Sequence, residues 1–143
     1  MIYCGYQGVG KSTYCRENPD TTIDLDSSNF KKVVGWEAEY VNTALKLSKD
    51  KNVFISAHEV VIEYLCKMGI DFKVLIPNET KEAWRNRLEF RYQKNQSLPN
   101  LKALYDFDLN YDKDMAYYNE LKKRGIAVCP VSARIVTTIS DYI

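Results

Sequence analysis

Gly5, Gly8, Gly10, Lys11 and Ser12 lie in the stretch Gly5-Tyr6-Gln7-Gly8-Val9-Gly10-Lys11-Ser12. It satisfies G-x-x-x-x-G-K-[ST] at every fixed position. The chemistry these residue types serve is the holding of a polyphosphate. Glycines let the backbone fold into an anion-binding nest without Cβ clashes, and free N–H groups at a helix start point at phosphate oxygens. A lysine at this place reaches the β- and γ-phosphates, and the hydroxyl after it holds Mg²⁺. Gly5, Gly8, Val9, Gly10, Lys11, Ser12 and Thr13 are therefore the expected nucleotide contacts, with ATP and Mg²⁺ the expected cofactors. The flanks fit this reading better than a chance glycine-rich turn. Met1 to Cys4 is a short apolar run, readable as a strand, and Lys11 to Glu17 can open a helix.

A second set of candidates is acidic. Asp24 and Asp26 close a buried-strand pattern, Thr21 to Leu25, and lie on the same side of an extended chain. Near a Mg²⁺-bound triphosphate, one carboxylate suits the metal and one the acceptor; the competing reading is that Asp26 merely caps a helix. Arg87 and Arg91, four residues apart, share a helix face. Two guanidiniums there repel each other unless an anion lies between them. His58, the one histidine, suits either an acceptor contact or a core hydrogen bond. Trp36 and Tyr40 suit base stacking or, more simply, core packing.

The elements that must position these residues alternate. After the first strand and helix, Trp36 to Leu47 and Val60 to Met68 read as helices, and Val53–Ile55 and Phe72–Ile76 as strands. A helix from about Lys81 to about Gln93 follows. Lys94 to Tyr111 is polar, contains Pro99 and lacks clear periodicity, which marks residues 94–111 as a candidate lid. Asp112 to Arg124 is helical, Ile126 to Cys129 is a last strand broken by Pro130, and Ala133 to Ile143 can form a final helix. This order predicts one α/β domain over residues 1–143, with a parallel sheet covered on both faces and ligands at the carboxyl ends of its strands.

Composition sets outer limits. The 143 residues are 45% hydrophobic and 27% charged, ordinary for one globular domain. A net charge of +1 gives no general drive toward nucleic acid or membrane, although a local basic groove stays open. No apolar run approaches the roughly 20 residues of a membrane span, so the cytoplasm is the expected location. Cys4, Cys15, Cys66 and Cys129 form neither a C-x-x-C pair nor a zinc spacing and read as reduced thiols. Cys15, early in the first helix, is a candidate for a lowered pKa.

On the phosphate loop, the Asp24-x-Asp26 pair and Arg87-Leu88-x-x-Arg91, the chain resembles the small P-loop kinases of the nucleoside monophosphate kinase and shikimate/gluconate kinase group. The resemblance spans nearly the whole chain in element order. It implies a P-loop NTPase three-layer sandwich of about five parallel strands with a short lid. It also implies that Arg87 packs on adenine, that Arg91 contacts the transferring phosphates, and that Asp24 supports Mg²⁺ while Asp26 orients or deprotonates an acceptor hydroxyl. Lys11, Asp26, Arg87 and Arg91 are the catalytic candidates, Ser12 and Asp24 the metal candidates, and Asp24, Asp26, Trp36 and His58 the acceptor candidates. A (deoxy)nucleoside monophosphate is the acceptor the resemblance favours. The alternatives are a hydroxyl on a metabolite or nucleic-acid end, and a regulatory NTPase with no acceptor. The chain departs from the family in two ways. The stretches where arginines would grip a monophosphate carry only lysines or no basic residue, and the lid candidate turns acidic toward Asp106, Asp108, Asp112 and Asp114.

Overall fold

Short apolar runs bounded by turn residues become strands, and stretches of helical period fill the gaps between them. The computed structural model describes residues 1–132 and 139–143. In chain order it runs β1 (Ile2–Gly5), α1 (Lys11–Glu17), β2 (Thr22–Leu25), a 3-10 turn at Ser27–Asn29, α2 (Trp36–Leu47), β3 (Asn52–Ser56) and α3 (Glu59–Lys67). It continues through β4 (Phe72–Pro77), α4 (Lys81–Lys94), α5 (Leu98–Lys123), β5 (Ala127–Val131) and a 3-10 turn at Ile139–Tyr142. The strands make one sheet in the order β2-β3-β1-β4-β5, with every pairing parallel.

The pleat sorts the core into two layers, because neighbouring residues on a strand face opposite sides. Tyr3, Phe54 and Lys73 share a register row. Tyr3 stacks on Phe54 at 5.0 Å, Phe54 meets Tyr14 of α1 at 5.7 Å, and the Lys73 ammonium donates to the Tyr142 carbonyl at 3.0 Å. This face is covered by α1 and the C-terminal turn. The next row, Cys4, Ile55 and Val74, faces the other way. There Cys4 lies close enough to Tyr40 of α2, Cys66 of α3 and Tyr118 of α5 to perturb their titration or its own.

Two expectations are revised. Residues 94–111 are not an irregular stretch: from Leu98 onward they are the first half of α5. Ser97 caps that helix, its hydroxyl accepting from the Asn100 N–H at 3.4 Å. Pro99 falls in the first turn, where a missing N–H costs nothing. The stripe that holds the helix down is largely aromatic. Buried Phe107, Tyr118 and Leu121 are joined by half-buried Leu104, Tyr111 and Met115. Pro130 likewise does not end β5 but pairs with Ile76 inside it. β5 is an edge strand, so a residue lacking an N–H can face outward. The Pro130 carbonyl accepts from the Tyr142 hydroxyl at 2.6 Å. The helix expected over 133–143 falls partly on residues 133–138, outside the described residues.

At the carboxyl ends of β2 and β3 a single hydroxyl continues the ladder. Tyr40 is fully buried; its O–H donates to the Leu25 carbonyl at 2.6 Å and accepts from the Ser56 N–H at 3.0 Å. Tyr40→Phe leaves both backbone groups without that partner. It should lower unfolding stability by about 1–3 kcal/mol, read by urea denaturation. An unchanged midpoint would show that the hydroxyl does not brace these strand ends.

Candidate functional site

The chain leaves β1 at Gly5 and turns sharply. Gly8 and Gly10 take φ values of 82° and 95°, the left-handed region that glycine enters without strain. Gly8 is also bare for lack of space, since a Cβ there would come within 3.0 Å of Leu88 Cδ2 and 3.4 Å of Trp84 Nε1. The Trp84 indole N–H donates to the Gln7 carbonyl at 3.1 Å. Trp84 and Leu88 are buried, so the loop is seated on α4 by one helix face. Gln7 Nε2 donates to the Ala103 carbonyl at 2.9 Å, which ties the same loop to α5. Gly5 has a different constraint: a Cβ there would meet Lys11 Cδ at 3.0 Å. Its absence lets the lysine stem lie back across the strand end.

Ser12 and Thr13 are exposed on the first turn of α1. The Ser12 hydroxyl donates to Asp24 Oδ2 at 2.6 Å. The register explains this meeting: Asp24 pairs with Phe54, whose row faces α1. Ser12 and Asp24 are hard oxygen donors, which suits Mg²⁺ bound through few protein ligands with phosphate oxygens and water completing its shell. Among the described residues no group of three or more His, Cys, Asp or Glu is placed to hold a metal ion. Val9, expected against the phosphates, is buried and spends its N–H on the Tyr6 carbonyl at 3.2 Å. The Thr13 hydroxyl accepts a long bond from Arg16 at 3.5 Å.

Asp26 does what the competing reading required: Oδ1 accepts from the Ser28 N–H at 2.9 Å and caps the 3-10 turn. Trp36, half-buried, stands edge-on to His58 at 5.4 Å and under the Lys32 ammonium at 4.4 Å. His58 Nε2 lies 3.1 Å from the Ser27 hydroxyl. Burial and then the charge of Lys32 push its pKa down, so the ring is neutral at neutral pH. Cys15, a candidate for activation, has its thiol pushed up because burial outweighs the favourable charge of Lys11.

A cavity of about 320 Å³ opens in front of Lys11, between the loop, Ser27, the Ser56–His58 segment and α5. Pro99, Lys102, Ala103, Asp106 and Asp114 supply the α5 wall. The acidic run of the lid candidate divides by helical phase. Asp108 and Asp112 turn to α4, where Asp108 takes a two-pronged bond from Arg85 at 2.6 and 3.0 Å and Asp112 pairs with Lys81 at 3.0 Å. Asp106 and Asp114 turn to the cavity. The sequence reading missed this division, and also missed Gln7 and Ser27; the signal was the spacing of Asp106 and Asp114, legible only once the stretch is known to be helical.

A larger cavity of about 580 Å³ lies along α4 and takes in Glu79, Thr80, Arg87, Phe90 and Ser132. Arg87 lies over the Trp84 ring at 4.4 Å and reaches Glu79 at 3.4 Å. Arg91 has no carboxylate partner among the described residues. Desolvation at its guanidinium, followed by the charge of Arg87, lowers its pKa.

Loop, sheet and flanking helices define an α/β architecture, a five-stranded parallel sheet with a glycine-rich loop between β1 and α1. No protein-family model and no curated protein matches the sequence. Among solved structures the chain is similar to shikimate kinase from Bacteroides thetaiotaomicron, with a TM-score of 0.49 and 14% identity over 83% of this chain and 80% of that one. A likeness at that level concerns the path of the backbone and says nothing of the chemistry.

Burial, followed by the charge of Asp106, raises Asp114 to about 6. The folded state therefore holds a proton that the unfolded chain releases near pH 4, and stability falls as pH rises through about 4 to 6. Asp114→Asn should flatten this slope and exceed the wild type in thermal stability at pH 8, the two converging below pH 4. Parallel curves for the two proteins would contradict it.

Proposed function

We propose that the chain is a Mg-ATP-dependent phosphotransferase acting on a small-molecule acceptor. The observation that carries this reading is the 2.6 Å contact of Ser12 with Asp24 beneath a glycine turn that opens, past Lys11, into a cavity of about 320 Å³. A turn that served structure alone would need no such cavity at its cationic end.

Each residue then has a part. The turn offers N–H groups and Lys11 a charge to the phosphates, and Ser12 and Asp24 hold Mg²⁺ directly or through water. Mg²⁺ supplies charge neutralisation on the transferring group. Arg87, over the Trp84 ring at 4.4 Å and lining the larger cavity, is the group to meet the base there; Arg91, lacking a carboxylate, stands ready for phosphate oxygens. Trp84 links the two regions, since it touches both Arg87 and the loop. Catalysis is positioning plus charge neutralisation. The first half of α5, the lid candidate of the sequence, walls the acceptor side and is tied to the loop by the Gln7–Ala103 bond.

The nucleoside monophosphate favoured by the sequence resemblance needs cations for its own phosphate. The described wall of the cavity offers Lys102 and no arginine. That composition favours the second reading, transfer to a hydroxyl. Asp26, placed at the strand end by its cap, is then the group to take the hydroxyl proton and pass it to water.

Lys11→Ala should abolish Mg-ATP binding in calorimetry while the protein stays folded by circular dichroism; wild-type affinity in that variant would overturn the assignment. Arg91→Ala should lower the rate of acceptor-dependent ADP release by at least about tenfold, roughly 1.4 kcal/mol of transition-state stabilisation, with little change in ATP affinity. A matching loss in affinity with no change in rate would reduce Arg91 to a ground-state contact.

A further inference from the structure

We propose that Trp84 is a positioning residue of the phosphate loop: its indole N–H holds the Gln7–Gly8 peptide in the orientation that aims the Gly8 N–H at bound phosphate. The inference rests on the phosphotransferase reading and adds to that site a residue that acts through the loop backbone.

Residues 6–9 form a β-turn. The Val9 N–H donates to the Tyr6 carbonyl at 3.2 Å, and Gly8, third in the turn, has a φ of 82°. That φ belongs to a type II turn; the commoner type I turn has a φ of about −90° at the same place. The two types differ by a half-rotation of the central peptide, here Gln7–Gly8, and the bond from Val9 to Tyr6 is compatible with both. Glycine enters either φ without strain. The turn by itself therefore does not choose between them.

Trp84 makes the choice. A trans peptide carries its C=O and its N–H on opposite edges, and no peptide among the described residues is cis. Whatever fixes the Gln7 carbonyl thus fixes the Gly8 N–H in the opposite direction. The carbonyl is held on the α4 side by Trp84 Nε1 at 3.1 Å. The Gly8 N–H points away from α4, and it has no partner among the described residues. It is a backbone donor left open for an anion, in the turn that leads to Lys11. The flipped peptide would present a carbonyl oxygen to the phosphates and set the Gly8 N–H against the indole N–H. An indole is a donor and never an acceptor, so it stabilises one orientation and opposes the other.

The indole itself is held in place. Trp84 is buried, and its own N–H donates to the Thr80 carbonyl at 3.0 Å, in the turn that the Thr80 hydroxyl caps. The Arg87 guanidinium covers the ring, and Glu79 holds that guanidinium at 3.4 Å. Leu88 meets Gly8 from the same helix face. The loop peptide is the softer partner, and the ring sets its direction.

The test uses the full chain and two probes: Mg-ATP, and magnesium tripolyphosphate, which has the phosphates without the base. Calorimetry compares wild type, Trp84→Phe, and a chain carrying β-(3-benzothienyl)alanine at position 84. The last keeps the two-ring shape and puts sulfur in place of the N–H, so it separates donor from packing even if Trp84→Phe does not fold. Each folded variant should bind both probes about five- to tenfold more weakly, within the range for one lost hydrogen bond, with the ratio between the probes unchanged. In ¹H–¹⁵N spectra the Gly8 amide proton should move downfield when tripolyphosphate binds to wild type. Most of that shift should be lost in the benzothienyl chain, a change that packing alone would not produce. The proposal is overturned if the benzothienyl chain keeps wild-type affinity for both probes, or if its Gly8 shift matches wild type. A loss confined to Mg-ATP would also overturn it, since that places the effect at Arg87 and the base. Wild type that binds neither probe would instead overturn the phosphotransferase reading beneath it.

Discussion

The hydrogen bond from the Ser12 hydroxyl to Asp24 joins the first turn of α1 to the end of β2, and the geometry of the crevice depends on it. It requires β2 to lie two strands from β1, beyond β3, with Asp24 in the row that faces α1. Slipping β2 by one residue would turn Asp24 to the opposite face and separate the pair. Tyr40 holds the next rung of that ladder, so the strand ends carrying Asp24 and Asp26 are fixed by a buried hydroxyl as well as by backbone pairing.

A second constraint acts from the other side of the loop. Gly8 has no room for a side chain because Leu88 and Trp84 press against it, and the indole N–H is spent on the loop carbonyl of Gln7. The helix that supplies these two residues also supplies Arg87 and Arg91. One face of α4 therefore seats the loop while its neighbouring face presents guanidiniums, and the two functions cannot drift apart. The same economy holds on α5, where an apolar stripe centred on Phe107 fixes the rotation that turns Asp106 and Asp114 inward.

Much of this was legible in the sequence. The glycine-lysine-serine spacing located the loop, and apolar runs located the five strands of the sheet. Ser12 and Asp24 were each read as metal candidates; that they touch needed the register of β2 to be known. What was not legible had physical causes. Pro99 reads as a breaker unless it is known to fall in a first helical turn, and the helix it opens is held by widely spaced aromatics among many polar residues, so its period is weak. Pro130 reads as a stop unless β5 is known to be an edge. Acidic residues along α5 could be counted but not sorted until the helix gave them phase. Asp26 stood between capping and catalysis in the sequence; the structure shows the cap, and a role for its other oxygen belongs to the proposed reaction.

The most direct measurement is a crystal structure of the full chain with Mg²⁺ and a non-hydrolysable ATP analogue. The account predicts a triphosphate wrapped by Gly5 to Ser12, the metal on Ser12 Oγ with Asp24 within one water of it, and the terminal phosphate facing the cavity walled by Asp106 and Asp114. A nucleotide bound elsewhere, or a terminal phosphate pointing away from that wall, would contradict it.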